Sequence, residues 1–244
     1  MHEDSIIKPW ANPGEPALGP VAVLVAPGPD VNPMRSAMGL DGVRPQPLFG
    51  GGLYTGQGNG PSLAGPFIGA PHAVMMLEAV VRRGARRIVF FGWCGAVDPM
   101  VNIGDLAVPD GAFVDEGTSH HYGHESGDAV QPSPAVQTEI RRSLRDKGRV
   151  FHQGTVWTTD AVFRETPRKV RDFQARGAAV VEMEMSALFT AGAWHGIAVG
   201  GLLAVSDDVS QGTWKRGFRH PAFIRGRRSA VEVIGDVCQR LSKS

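Results

Sequence analysis

Fully apolar runs alternate with mixed, amphipathic stretches along this chain. Val21–Ala26 (VAVLVA) is apolar at every position and closes on Pro27-Gly28-Pro29, which predicts a strand buried on both faces. His72–Arg83 has the length and composition of a helix, with Gly84 as its stop. Arg87–Phe91 predicts the next buried strand, broken at Gly92 and Gly95. Short strands at Leu106–Val108 and Ala112–Val114 flank Pro109–Gly111. Pro134–Lys147 reads as a surface helix ended by Gly148, and Val150–Thr158 as extended chain. Pro167–Arg176 opens on proline as a helix, and Ala178–Val181 follows as a strand. Met185–His195 is a helix before Gly196, Ile197–Val205 a strand, and Pro221–Leu241 the last helix. The alternation predicts an α/β fold with a central mixed or parallel sheet flanked by helices. With no repeat and no linker, it reads as one domain over residues 21–244 behind an N-terminal extension, 1–20.

Composition narrows the class. Hydrophobic residues are 42% and charged residues 20% of 244, an ordinary globular balance that can bury a core without staples. Lys plus Arg number 25 against 24 Asp plus Glu, so no electrostatic footprint for nucleic acid or an anionic membrane is expected. No apolar run reaches the roughly 20 residues of a membrane span, and MHEDSIIKPW lacks a signal-type stretch. Cys94 and Cys238 make no disulfide framework. A soluble cytoplasmic protein is the expectation. Glycine and proline concentrate before Pro71, above all in Gly50–Gly60. Gly56-x-Gly58-x-Gly60 is half of a dinucleotide fingerprint, but Pro61 replaces the required helix, so it reads as a loop or hairpin.

Three segments carry candidate chemistry. Phe91–Asp105 leads a buried strand into Gly92-Trp93-Cys94-Gly95, and ligands bind at the carboxyl ends of strands in open α/β sheets; a plain tight turn is the alternative. Val180–Ser186 (VVEMEMS) places Glu182 and Glu184 on one side if the strand persists, a pair that would accept hydrogen bonds from vicinal hydroxyls; a solvated helix start is the alternative. Leu202–Asp208 (LLAVSDD) ends in Asp207, which would serve as a general acid if its surroundings raise its pKa; otherwise Ser206 and Asp207 form a turn or cap.

Together these motifs resemble the purine nucleoside and uridine phosphorylase family, which includes hydrolytic nucleosidases. Gly92-Trp93-Cys94-Gly95-Ala96, Asn102-Ile103-Gly104-Asp105, Val181-Glu182-Met183-Glu184 and Ser206-Asp207 match its motifs in order and spacing. Glu116–Tyr122 (EGTSHHY), Trp157-Thr158-Thr159-Asp160 and Ile68-Gly69-Ala70-Pro71 are also similar, so the likeness covers residues 20–240. It implies a single-domain nucleoside-phosphorylase-like fold and cleavage of the bond between ribose C1′ and a nucleobase, through an oxocarbenium-like transition state. By resemblance Glu184 binds the ribose hydroxyls, Met183 packs on the sugar and Glu182 lines the same strand end. Asp207 protonates or hydrogen-bonds purine N7, which favours a purine. Thr158, Thr159 and Phe163 would build the base pocket, with Cys94 and Gly95 beside it. The partner implied is a small-molecule nucleoside, the state a homo-oligomer, and no cofactor is implied.

The departures concern phosphate. The family's arginine before the turn is Phe90, its Ser or Thr after the first glycine is Trp93, and its Pro-Gly-Asp-Pro loop with arginine reads Pro27-Gly28-Pro29-Asp30 with Asn32. Gly28 and Trp93 thus hold positions that in the family contact phosphate. The expectation is water as acceptor, phosphate being the co-substrate in the phosphorolytic alternative and a non-catalytic nucleoside-binding homologue the third reading. Arg35, Arg216 or Arg219 would rebuild a phosphate site, and Arg164 or Arg168 would read a pyrimidine. His120, His121 and His124 lack zinc-ligand spacing and read as ribose-side or subunit-contact residues. Cys94 has no marked base partner, and Met75, Met76 and Met100 read as core filling.

Overall fold

The computed structural model describes residues 5–9 and 17–243. Of the extension expected over residues 1–20, residues 1–4 and 10–16 lie outside the described residues. The strands are β1 (Val21–Val25), β2 (Gln46–Leu48), β3 (Gly51–Tyr54), β4 (Ser62–Gly65), β5 (Arg87–Ala96), β6 (Leu106–Asp115), β7 (Ala129–Val130), β8 (His152–Thr159), β9 (Ala178–Glu182), β10 (Ala198–Asp208) and β11 (Lys215–Arg216). The helices are α1 (Gly28–Ala37), α2 (Ala70–Arg82), α3 (Pro134–Asp146), α4 (Pro167–Ala175), α5 (Met185–Trp194) and α6 (Pro221–Lys243).

All five residues of β1 are buried because helices cover both its faces. Ala22 and Leu24 pack with Leu77 of α2 and Leu188 of α5. Val21, Val23 and Val25 pack with Met34 of α1, Ile140 of α3 and Ile234 of α6. This is why the run is apolar without alternation. α4 closes a third, smaller core in which Phe173 stacks on Trp157 at 4.4 Å between centroids.

The sheet is mixed. β5 pairs in parallel with β1 and β10 and antiparallel with β9. β10 pairs also with β6, β6 with β8, and β8 with β9, so five strands close on themselves around one end of the site. β1 continues outward through β4, β3 and β2. The glycine-rich segment Gly56–Gly60 is the connection of the antiparallel β3–β4 pair, a hairpin rather than a nucleotide loop.

Three expectations are corrected, and one helix, α1, was not foreseen. β5 is not broken at its glycines: it runs to Ala96, since β10 pairs with it as far as Asp208. The glycines serve packing, and a Cβ at Gly92 would lie 2.7 Å from Cζ of Phe90. The two short strands around Pro109 are one strand, β6, whose register against β8 shifts between Pro109 and Gly111; that irregularity absorbs the missing N–H of proline. α1 was hidden by its prolines, which read as turn punctuation: Pro29 suits the first helical turn, and Pro33 lies inside the helix. Of the three methionines read as core filling, only Met76 is buried; Met75 and Met100 are exposed.

Candidate active site

The ends of β5, β9 and β10 meet at Gly95. Its Cα partners are Asp207 on β10 and Val181 on β9. The register of β10 slips between Val205 and Asp207, leaving Ser206 as an extra residue. Such a bulge bends the strand and re-aims the next side chain, here Asp207. A Cβ at residue 95 would lie 3.3 Å from both Oδ2 of Asp207 and Cγ1 of Val181, so glycine is what lets the carboxylate approach the strand. Above this junction lies a cavity of about 650 Å³. Cys94, Gly95, Glu182, Met183, Glu184 and Asp207, expected at the site, all line it, as do Gly28 and Trp93.

Glu184 sits between two helix starts. β9 ends at Glu182 and Glu184 is the residue before α5, so the carboxylates are not a same-face pair on one strand. The N–H of Gly69, at the start of α2, donates to Oε1 of Glu184 at 2.6 Å. Gly69 holds φ at +81°, a conformation suited to glycine. Glu182 caps α5: its Oε2 accepts from the N–H groups of Glu184 at 2.8 Å and Met185 at 2.9 Å, and its Oε1 accepts from Thr158 Oγ1 at 2.6 Å. Burial pushes both carboxyl pKa values up, and the charge of Glu184 pushes Glu182 further. Two carboxyls this close and this dry favour keeping a proton between them.

Thr158 and Thr159 are placed differently from expectation. Both are buried and neither lines the cavity. Thr158 Oγ1 donates to Glu182 and accepts from the N–H of Ser186, so it orients the acid. Alternation along β8 turns Thr158 beneath the strand end, toward α5. Phe163 lies at the cavity rim and is 95% exposed.

Asp207 accepts two hydrogen bonds, from Ser206 Oγ at 2.5 Å and from the indole N–H of Trp214 at 2.8 Å. Trp214 arrives on the segment that β11 pins to β10, where Asp207 opposes Arg216. Glu165, from the turn before α4, lines the same cavity. Sequence reading missed both Glu165 and Trp214: neither belongs to an apolar strand end, and only the folded chain carries them to Asp207. The Cys94 thiol is pushed well up by burial, then by the charges of Asp207 and Glu182, so it is no thiolate nucleophile.

At the opposite wall Trp93 donates its indole N–H to Oδ2 of Asp30 at 2.7 Å. Asp30 is 2% exposed and is gripped by Arg227, whose Nη2 lies 2.7 Å from Oδ1 and whose guanidinium stands 4.8 Å over the Trp93 ring. Phe90 is fully buried in the core. Asn32 is exposed and accepts from Arg35, which also lies over the ring of Tyr54. Arg216 stacks over Trp214, and Arg164, Arg168 and Arg219 are exposed; none of these arginines lines the cavity. His120 and His124 face Glu125 and Asp128, and His121 borders a separate open groove with Glu78 and Asp160. Among the described residues no group of three His, Cys, Asp or Glu is placed to hold a metal ion. No helix among them is long and apolar enough to cross a membrane.

The phosphorylase superfamily matches residues 21–239. The chain belongs to that superfamily. It is 29% identical over 148 residues to the guanosine phosphorylase of Halorubrum lacusprofundi, a match that spans 61% of this chain and 61% of that protein. The purine nucleoside phosphorylase of Toxoplasma gondii, crystallised with immucillin-H, shares the fold with a TM-score of 0.80 over 93% of each chain, at 19% identity. The 5′-methylthioadenosine/S-adenosylhomocysteine nucleosidase of Helicobacter pylori shares it with a TM-score of 0.74 at 18% identity, over 91% of this chain and 99% of that one. The single-domain nucleoside-phosphorylase-like fold expected from the motifs is therefore the fold of this superfamily member, and phosphorylases and hydrolytic nucleosidases both use it.

Proposed function

We propose that this chain cleaves the N-glycosidic bond of a purine nucleoside and transfers the ribosyl group to water. The charge of the cavity wall carries the reading. Its carboxyl groups are Glu165, Glu182, Glu184 and Asp207, and among the described residues no Lys or Arg lines it. A phosphate dianion is held by cations and charge-assisted donors. A cluster of carboxyls favours the opposite charge, the cation that develops at ribose C1′ as the bond breaks. Trp93 and Asp30 support the same reading, since an indole and a carboxylate already tied to Arg227 stand near the start of α1, where an anion would otherwise be received. Glu184 accepts from the ribose hydroxyls, Met183 packs on the sugar, and Asp207 meets the base. No cofactor is required. The purine assignment rests on Asp207 and on the similarity to a protein named as a guanosine phosphorylase.

That name also supports a second reading, phosphorolysis, in which arginines outside the cavity wall complete an anion site. Product analysis separates the two. The expected result is free ribose, formed at a rate that does not depend on phosphate. Ribose 1-phosphate in proportion to added phosphate would overturn the hydrolytic reading, and ligand binding without base release would point to a non-catalytic homologue. The chain is further proposed to work as a homo-oligomer, because Ile68 and Phe163 stand 71% and 95% exposed at the cavity mouth. Light scattering at micromolar concentration should give a multiple of the chain mass; a monomer contradicts this.

A further inference from the structure

We infer that Glu165 and Asp207 together are the proton donor for the leaving base, with Glu165 holding the proton at rest and Asp207 remaining an acceptor. The inference rests on the cleavage reading above and assigns a residue that the superfamily motifs do not mark. Its basis is geometric. Asp207 already accepts from Ser206 and Trp214, two donors that suit an ionised carboxylate. Glu165 lines the same cavity from a different element, the turn between β8 and α4. Burial raises the Glu165 carboxyl to about 7, and the charge of Asp207 adds to that. The opposing group is Lys169 of α4, whose Nζ is engaged by Asp115 at 2.8 Å. Near neutrality Glu165 therefore holds a proton, while Asp207 keeps its two donors.

In cleavage the proton passes from the Glu165 carboxyl to a ring nitrogen of the base. The bonding pair of the C1′–N bond leaves with the base. Water oxygen bonds to C1′, and the proton it sheds restores the carboxyl pair. The carboxylate of Asp207 faces the nitrogen as it becomes an N–H and accepts from it.

The test is Glu165→Gln in the full chain, read three ways. On a purine nucleoside kcat/KM should fall about tenfold to a hundredfold. On a nucleoside methylated at N7, whose base leaves without taking a proton, it should stay within about twofold. In the wild type kcat/KM should decline above about pH 7, and the variant should lack that decline. Equal losses on both substrates, or an unmoved pH profile, would overturn the role of Glu165 while leaving cleavage itself standing. A third measurement does not use activity. A carboxyl whose pKa is raised by folding favours the folded state while it is protonated and loses that stability as pH rises from its unfolded value through its folded one. Glu165→Gln should therefore melt above the wild type at about pH 8, with the gap closing at about pH 5. No pH dependence of that gap overturns the inference even if no nucleoside is cleaved.

Discussion

Glu184→Gln is expected to fold and to lose about 10²–10³-fold in kcat on nucleosides, the loss seen when a group aimed at developing charge is removed. The fold survives because the amide oxygen can still accept from the N–H of Gly69, as Oε1 does now. What is lost is the anion. Hydroxyls of a ribose that is becoming cationic donate more strongly to a carboxylate than to an amide. The loss should fall on kcat more than on KM, since the charge at C1′ develops only in the transition state. Steady-state kinetics with a circular dichroism spectrum of the variant checks both halves. Wild-type turnover in a folded Glu184→Gln would remove this residue from the ribose site.

Asp207→Asn should cost about 10²-fold on purine nucleosides and far less on a nucleoside methylated at N7. The amide can keep both present contacts, accepting the indole N–H of Trp214 with its oxygen and donating to Ser206 Oγ, so the bulge need not rearrange. The neutral group no longer accepts strongly from the protonated base. It also removes the charge that helps raise Glu165, so the decline of kcat/KM should move to lower pH. Equal losses on both substrates would make Asp207 structural.

Much of this was legible before folding. Val21–Ala26 had to be a buried strand, because a run with no polar position can be solvated on neither face. Glu184 and Asp207 could be named because acids directly after apolar strands stand where α/β sheets bind ligands. Other placements came only with the fold. Thr158 belonged to a matching motif, yet its neighbours on β9 and α5 turn its hydroxyl to Glu182 and Ser186. Gly92 and Gly95 looked like strand breakers because local propensity does not know that β10 will pair alongside them.

The sequence by itself determined the alternation of strands and helices, the burial of β1, β5 and β10, and the placement of two acids on the cavity wall, since these follow from local periodicity and from motifs a few residues long. Only the tertiary structure decided what surrounds those acids. The slip of register at Ser206 aims Asp207, the start of α2 supplies the donor for Glu184, and Trp214 and Glu165 close on Asp207 from separate segments. Trp93, Asp30 and Arg227 come from positions up to 197 residues apart to form one partly buried cluster. Such contacts depend on strand pairing and on side chains packing in three dimensions. The free energy of a buried carboxyl is set by the groups placed around it, not by its neighbours in the chain.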